Sequence, residues 1–301
     1  MLAMGAALCW SPHSLLAHRV TSQGTPLLVF YFHVLLWAAL ASLALVVLTG
    51  RMDELSVFKR RESRFLLLVL CGGYGLWLLR GLALDRSPQN PTGTHMIFLL
   101  GPLLLGLLSM PTRRGARGRQ IAMLALGFAG CVGVLASART DGLANLLPGF
   151  WGSVLALGTA LCWAVFTIIV RKFARDERVL PVGAVLWSMG AACLLITCLS
   201  RGENVLEISR SGLWISMVLG AGTVALGFGL WMRSLGEVPP AYAAPVWYMT
   251  AVFGVFWTYL IEDSVPNWWT VGGVILILLV SRSGRSTEEQ SHTTISDVIR
   301  G

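Results

Sequence analysis

Residues Leu2 to Trp10 read LAMGAALCW and residues Leu155 to Trp163 read LALGTALCW, seven identities in nine at an offset of 153 within 301 residues. Both copies lie inside apolar segments, where chance likeness is common, so the pairing needs further witnesses. Gly73-Tyr74-Gly75-Leu76-Trp77 answers Gly227-Phe228-Gly229-Leu230-Trp231 at an offset of 154, and Arg80 answers Arg233 at 153. Pro26 and Pro181 each open an apolar run at an offset of 155. Collinear matches at a nearly constant offset are hard to obtain except by duplication. A doubled membrane unit is the usual plan of a transporter, with the site where the halves meet.

Hydrophobic residues make up 55% of the chain and charged residues 13%, with a mean hydropathy of +0.70. That is far from the roughly quarter-charged composition of a soluble domain. A spanning helix needs about 20 mostly apolar residues. Runs of this kind cover 2–20, 26–48, 65–84, 93–110, 120–138, 149–170, 179–199, 212–235, 241–261 and 268–280, the last one short. They are too long for the alternating strands of a barrel, and open sheet edges cannot face lipid. The expected fold is an all-α membrane protein of ten transmembrane helices. No basic residue precedes the first run and its twin is internal, so it reads as a mature helix rather than a cleaved signal.

Five helices per repeat is an odd number, which forces the second copy to enter the membrane from the opposite side. The expected organisation is two inverted five-helix repeats, 1–140 and 149–281, followed by a disordered polar tail, 282–301. Cytoplasmic loops collect Lys and Arg. With the N-terminus inside, 17 of the 23 basic residues fall in cytoplasmic segments, leaving Arg19, Arg80, Arg86, Arg139, Arg201 and Arg210 outside. Both termini are therefore expected in the cytoplasm. The net charge of +8 follows from this topology, so nucleic acid is not an expected partner.

Ionisable groups at membrane depth are costly and usually functional. None of the fifteen carboxylates lies near the middle of an apolar run. This argues against a carboxylate ion relay and against aspartyl proteolysis. No HExxH or GxxxxGK[ST] motif occurs, so neither metalloprotease nor ATP-driven chemistry is indicated. The six cysteines lie within spans without metal-ligand spacing. No catalytic residue, metal or cofactor is expected.

What lies deep is histidine and aromatic surface. Pro12 interrupts the first span beside His13, and such breaks tend to face protein or a water-lined cavity. Trp10 and His13 are mirrored by Trp163 and Phe166, each pair on one helix face. Both pairs can line a wall of a cavity, or Trp10 and Trp163 can simply pack. His33 and its twin Ser188 are further candidates, although a buried histidine bonded to a carbonyl is the commoner outcome. Tyr31, Trp77, Trp231 and Tyr248 complete the expected substrate-binding set. Arg80 sits three to four residues from a helix end, where it can snorkel to the headgroups or clamp an anionic ligand group; snorkelling is the commoner role. His95 is expected at the interface. Gly127, Gly130 and Gly133 form a small face suited to close helix contact.

The chain resembles the EamA-like ten-helix branch of the drug/metabolite transporter superfamily. The likeness rests on Trp10-Ser11 and Trp163-Ala164, on Pro102 inside Gly101-Pro102-Leu103-Leu104, on Gly127 to Gly133, and on Glu262 closing the ninth helix. His33 stands where that family often has arginine, and Ser109-Met110-Pro111 replaces its usual Gly-Glu ending. The resemblance implies a secondary transporter, commonly an exporter of amino acids or other small metabolites, with the fifth and tenth helices peripheral.

The expectation is thus an alternating-access carrier in a cell inner membrane, exporting a small apolar or aromatic metabolite such as an amino acid. Its partners are that small molecule and the lipid bilayer, while proton coupling and a homodimer stay open. A nucleotide-sugar or organic-anion carrier is the alternative if Arg80 points inward. An integral-membrane lipid-modifying enzyme is the alternative from another class.

Overall fold

The computed structural model describes residues 1–55, 62–109, 114–136, 147–174, 179–262 and 267–282. The tail expected from 282 onward lies, past its first residue, outside the described residues. Among the described residues every regular element is a helix, and there is no strand. Eight helical stretches are long and apolar enough to cross a membrane: Leu27–Leu48, Phe65–Asp85, Pro91–Leu108, Arg117–Leu135, Phe150–Phe173, Val179–Ser200, Arg210–Glu237 and Pro240–Ile261. Their apolar windows are only 33–50% buried, so half or more of each presents apolar surface outward. Lipid is the solvent that accepts such a surface. The chain is an all-α membrane protein.

The other two expected spans take shorter forms. The first is divided at Ser11-Pro12 into α1 (Leu2–Trp10) and α2 (His13–Thr21). Proline has no N–H for the helical ladder, and the helix lapses for two residues, Ser11 and Pro12, before resuming. The last, Trp268–Arg282, is a helix of fewer than 18 residues. The count of ten full-length spans is therefore not exact.

In chain order the remaining elements are α3 (Leu27–Leu48), α4 (Glu62–Leu68), a π-helical stretch Val69–Gly75, α5 (Leu76–Asp85), α6 (Pro91–Phe98), α7 (Gly101–Leu108) and α8 (Arg114–Ala136). There follow α9 (Phe150–Ala174), α10 (Val179–Ser200), α11 (Arg210–Val218), a second π-helical stretch Leu219–Gly227, α12 (Phe228–Glu237), α13 (Pro240–Trp247), α14 (Met249–Glu262) and α15 (Trp268–Arg282). Both π-helical stretches fall in the third span of their half and carry the start of the matched Gly-x-Gly-Leu-Trp motif. The fourth and ninth spans both break near their middles, between α6 and α7 and between α13 and α14, next to Pro102 and Pro245.

The halves grip each other through their second and third spans. α3 packs along α10, α3 crosses the second π-helical stretch, and α10 crosses the first. Glycine permits the two crossings. A methyl group added at Gly190 would overlap the Gly73 carbonyl, and one added at Gly220 would overlap that of Val34. The first helices reach across likewise: α1 lies on the second π-helical stretch and α12, α9 on the first and α5. Thr223 donates to the Cys9 carbonyl at 2.9 Å, tying one such crossing. α8 and α15 meet backbone to backbone, where a Cβ on Gly130 would stand 2.8 Å from the Gly273 oxygen. Of the glycine face expected in the fifth span, Gly127 abuts Tyr248, while Gly130 and Gly133 face α15.

The Ser11-Pro12 break is pinned rather than loose. Ser11 donates to Leu8 at 2.7 Å and accepts from the Trp257 indole at 2.8 Å. Pro12→Ala restores an N–H and removes the ring clash, so its thermal stability is expected to equal or exceed that of the parent. Melting curves of the two proteins in detergent check this; a lower melting temperature for Pro12→Ala would contradict it.

Candidate functional site

Seven of the ten residues expected in the site come together in one buried aromatic layer at the meeting of the halves. Trp10 is its hub, with ring centroids 5.4 Å from His13, 5.8 Å from Trp77, 4.7 Å from Phe228 and 5.8 Å from Trp247. On the first-half side His13 stacks on Tyr31 at 5.9 Å and an interplanar angle of 11°, and Trp77 meets both rings edge-on. Across from them Trp163, Trp231 and Trp247 form a triangle with centroid distances of 4.9, 5.8 and 4.7 Å. Phe166 sits against Phe228 at 5.3 Å. Trp247 and Phe228 thus stitch the two sets into one layer. Neither was expected in the site, although Phe228 belongs to the matched Gly-Phe-Gly-Leu-Trp motif.

The layer is apolar in its faces and polar at its edges. The indole N–H groups of Trp10, Trp77, Trp163 and Trp231 and both His13 ring nitrogens are buried without a hydrogen-bond partner among the described residues, and the Tyr31 hydroxyl lies beside the Arg80 guanidinium. Protein interiors normally pair such groups. His13 is 1% exposed and lies within the layer rather than on a cavity wall.

The other three expected residues stand apart. His33 Nδ1–H donates to the Val29 carbonyl at 2.9 Å, and its ring neighbour is Phe32. Ser188 donates to the Ala184 carbonyl at 2.7 Å. Tyr248 is buried against Gly127 of α8, away from the stacked rings of the layer. None of the three lines either cavity.

Two cavities open from the layer, of about 430 and 300 Å³. These volumes suit a small organic ligand. The larger lies at the end of the bundle where α2 and α5 finish and α6 and α9 begin, with Tyr31, Thr94 and Thr159 on its walls. The smaller runs between α1, α14 and α15, floored by Trp10 and Trp247. Ser14, Arg80, His95 and Phe98 line both.

That shared wall corrects two expectations. Arg80 does not snorkel: it is 6% exposed, with its guanidinium 4.9 Å over the Phe98 ring. It donates to Ser14 Oγ at 3.1 Å, and Ser14 Oγ in turn lies 3.3 Å from His95 Nδ1. His95 belongs to the cavity wall and not to the interface. A signal was present in the spacing. Trp77 and Arg80 are three apart on α5, so the arginine shares a helix face with an aromatic of the layer. Arg233, which matches Arg80 in the sequence, lines neither cavity.

Comparison with known proteins agrees with this architecture. Residues 150–281 match the EamA-like transporter family. The chain is 20% identical over 274 residues to YhbE, an uncharacterised inner membrane transporter of Escherichia coli, covering 89% of this chain and 82% of that one. It is 30% identical over 190 residues to YddG, an aromatic amino acid exporter of Ancylobacter novellus, covering 58% and 61%. A solved crystal structure superposes with a TM-score of 0.78 at 22% identity over 93% of both chains, a likeness of fold alone. Duplicated sequence, lipid-facing helices and a cavity between the halves are thus joined by kinship over most of the chain. Residues 150–281 form a domain of the EamA-like transporter family.

Proposed function

We propose that the chain is an alternating-access exporter of a small aromatic metabolite, such as an aromatic amino acid, in a bacterial inner membrane. The observation that carries this reading is the aromatic layer. It is built from both halves, floors both cavities, and presents four indole N–H groups with no hydrogen-bond partner among the described residues. Such a surface stacks on a planar ligand and offers donors at its rim. The kinship to an aromatic amino acid exporter supports the same substrate class.

On this reading residues 1–140 and 149–281 are the two inverted repeats, with both termini cytoplasmic, as the placement of 17 of 23 basic residues favours. The larger cavity then faces outward, and the layer beneath it separates it from the cytoplasm. Trp10, His13, Tyr31, Trp77, Trp163, Phe166 and Trp231 serve the layer. His33, Ser188 and Tyr248 support the helices that carry it.

Purified protein in liposomes tests the proposal. Radiolabelled tryptophan or phenylalanine is expected to enter protein-bearing vesicles with saturable kinetics and to exchange with unlabelled substrate on the far side. Uptake of every aromatic amino acid no faster than into empty vesicles would sink it. The inward-pointing Arg80 favours a second reading, an organic-anion carrier, and the two differ in which aromatic ligand moves.

A further inference from the structure

Among the described residues no carboxylate pairs with Arg80, although it is 6% exposed in the third span of a membrane protein. It donates to the neutral hydroxyl of Ser14, the Tyr31 phenol lies beside it, and its face is covered by Phe98, so every neighbour it has there is uncharged. Removing a guanidinium from water is expensive when nothing of opposite charge meets it. A charge held in that condition at a cavity wall is complete only when an anion arrives. The carboxylate that lines either cavity is Asp85, which lies on the larger one and is already within 3.7 Å of Arg201.

Resting on the transporter reading above, we infer that Arg80, Ser14 and His95 form an anion subsite that takes the carboxylate of an aromatic acid. A guanidinium presents two parallel N–H groups to the two oxygens of a carboxylate. Ser14, already oriented by Arg80 and His95, adds a hydroxyl. Trp10 lines the smaller cavity beside this group and Tyr31 the larger, so the aromatic body of the same ligand lies over the layer while its carboxylate is held. Neither cavity offers a carboxylate not already engaged by a cation, so an ammonium group gains no ion pair there. The substrate class is thus an aromatic monocarboxylate, and an amino group is tolerated but not read.

Three indoles separate the terms: tryptophan, indole-3-propionate, which lacks the ammonium, and tryptamine, which lacks the carboxylate. Wild-type protein in liposomes is expected to carry the first two and to discriminate against tryptamine by about 30-fold or more, the worth of a charge-assisted bond. Arg80→Gln should lower kcat/KM for both acids by a similar factor, chiefly through KM, and Arg80→Lys should restore part of it. Elution as a single species in detergent shows that each variant is folded; should Arg80→Gln aggregate, Ser14→Ala and Arg80→Lys carry the same comparison. Equal transport of all three indoles, or equal losses for acid and amine in the folded variants, would overturn the subsite and leave the carrier standing. If none of the three crosses, the carrier reading fails by itself. Calorimetric binding of indole-3-propionate, present in wild type and lost in the Arg80 variants, would then still support the subsite, and no binding to wild type would overturn it.

Discussion

Gly190→Val is expected to abolish recovery of folded protein. Gly190 of α10 lies directly against the carbonyl of Gly73, and a side chain there would meet backbone that cannot rotate away. Overpacking of a well-fitted interior typically costs about 1–3 kcal/mol, and more when the obstacle is main chain. Here the obstacle sits where the second span of one half crosses the third span of the other, so relief requires the halves to part. Gly220→Val, at the opposite crossing against Val34 and Trp37, should behave alike. Gly222→Ala is the matched control, since nothing lies within 4 Å of its added methyl. Fluorescence-detected size exclusion is the measurement: monodisperse Gly190→Val protein at parental yield would show that the crossing is looser than the structure has it.

Trp247→Ala is expected to remove substrate transport while Trp247→Phe keeps a large share of it. Trp247 floors the smaller cavity and braces Trp10, Trp163 and Trp231 at once. Truncation leaves a hole whose cost is about 3–5 kcal/mol where the surroundings cannot collapse. The functional loss should exceed what that destabilisation explains, because the floor of the cavity goes with it. Phenylalanine retains a ring to stack on and loses the indole edge. Initial rates in liposomes, normalised to folded protein, decide the matter, and wild-type rates from Trp247→Ala would mean that the layer plays no part in the transport path.

Much of the fold could be read from periodic features. Apolar length gave the spans, and the matched stretches located the two first helices and the two third spans. The sequence also holds a further pair that no run of identical letters marks. Gly50 and Gly202 are 152 apart and each closes the second helix of its half with a positive φ, of 67° and 71°. Each is followed by the same reach-back bond, Arg51 to Val46 at 3.0 Å and Glu203 to Cys198 at 2.9 Å. A lone glycine in Thr-Gly-Arg and Arg-Gly-Glu resembles nothing by letter, yet both meet the same demand for a left-handed cap. The π-helical stretches were not legible, because a widened turn leaves the apolar pattern unchanged.

The site was legible by residue type more than by place. Deep tryptophans and their repeat partners pointed to the layer, since burial of so much aromatic surface has few other uses. Distances from helix ends misplaced Arg80 and His95, because depth along a span says nothing about which way a face turns. His33 looked promising by chemistry, and its own helix supplies its partner, which no spacing rule would reveal. Trp247 could be counted as deep but not assigned to the layer, because the break after α13 that aims it is set by tertiary packing around Pro245.

The interruption at Ser11-Pro12 has a bearing on motion. Its counterpart in the second half, α9, runs unbroken from Phe150 to Ala174. One half therefore carries a joint where the other carries a rod. If the two halves simply exchanged shapes to carry the cavity from one face to the other, the rod would have to bend where it has no proline, and the joint to stiffen where it has one. On the proposed alternating-access reading, the inward-facing form is accordingly not the mirror image of the form described above, and the hand-over of cargo is lopsided: α2, with Ser14 on it, moves about the break, and α9 is the post it turns against.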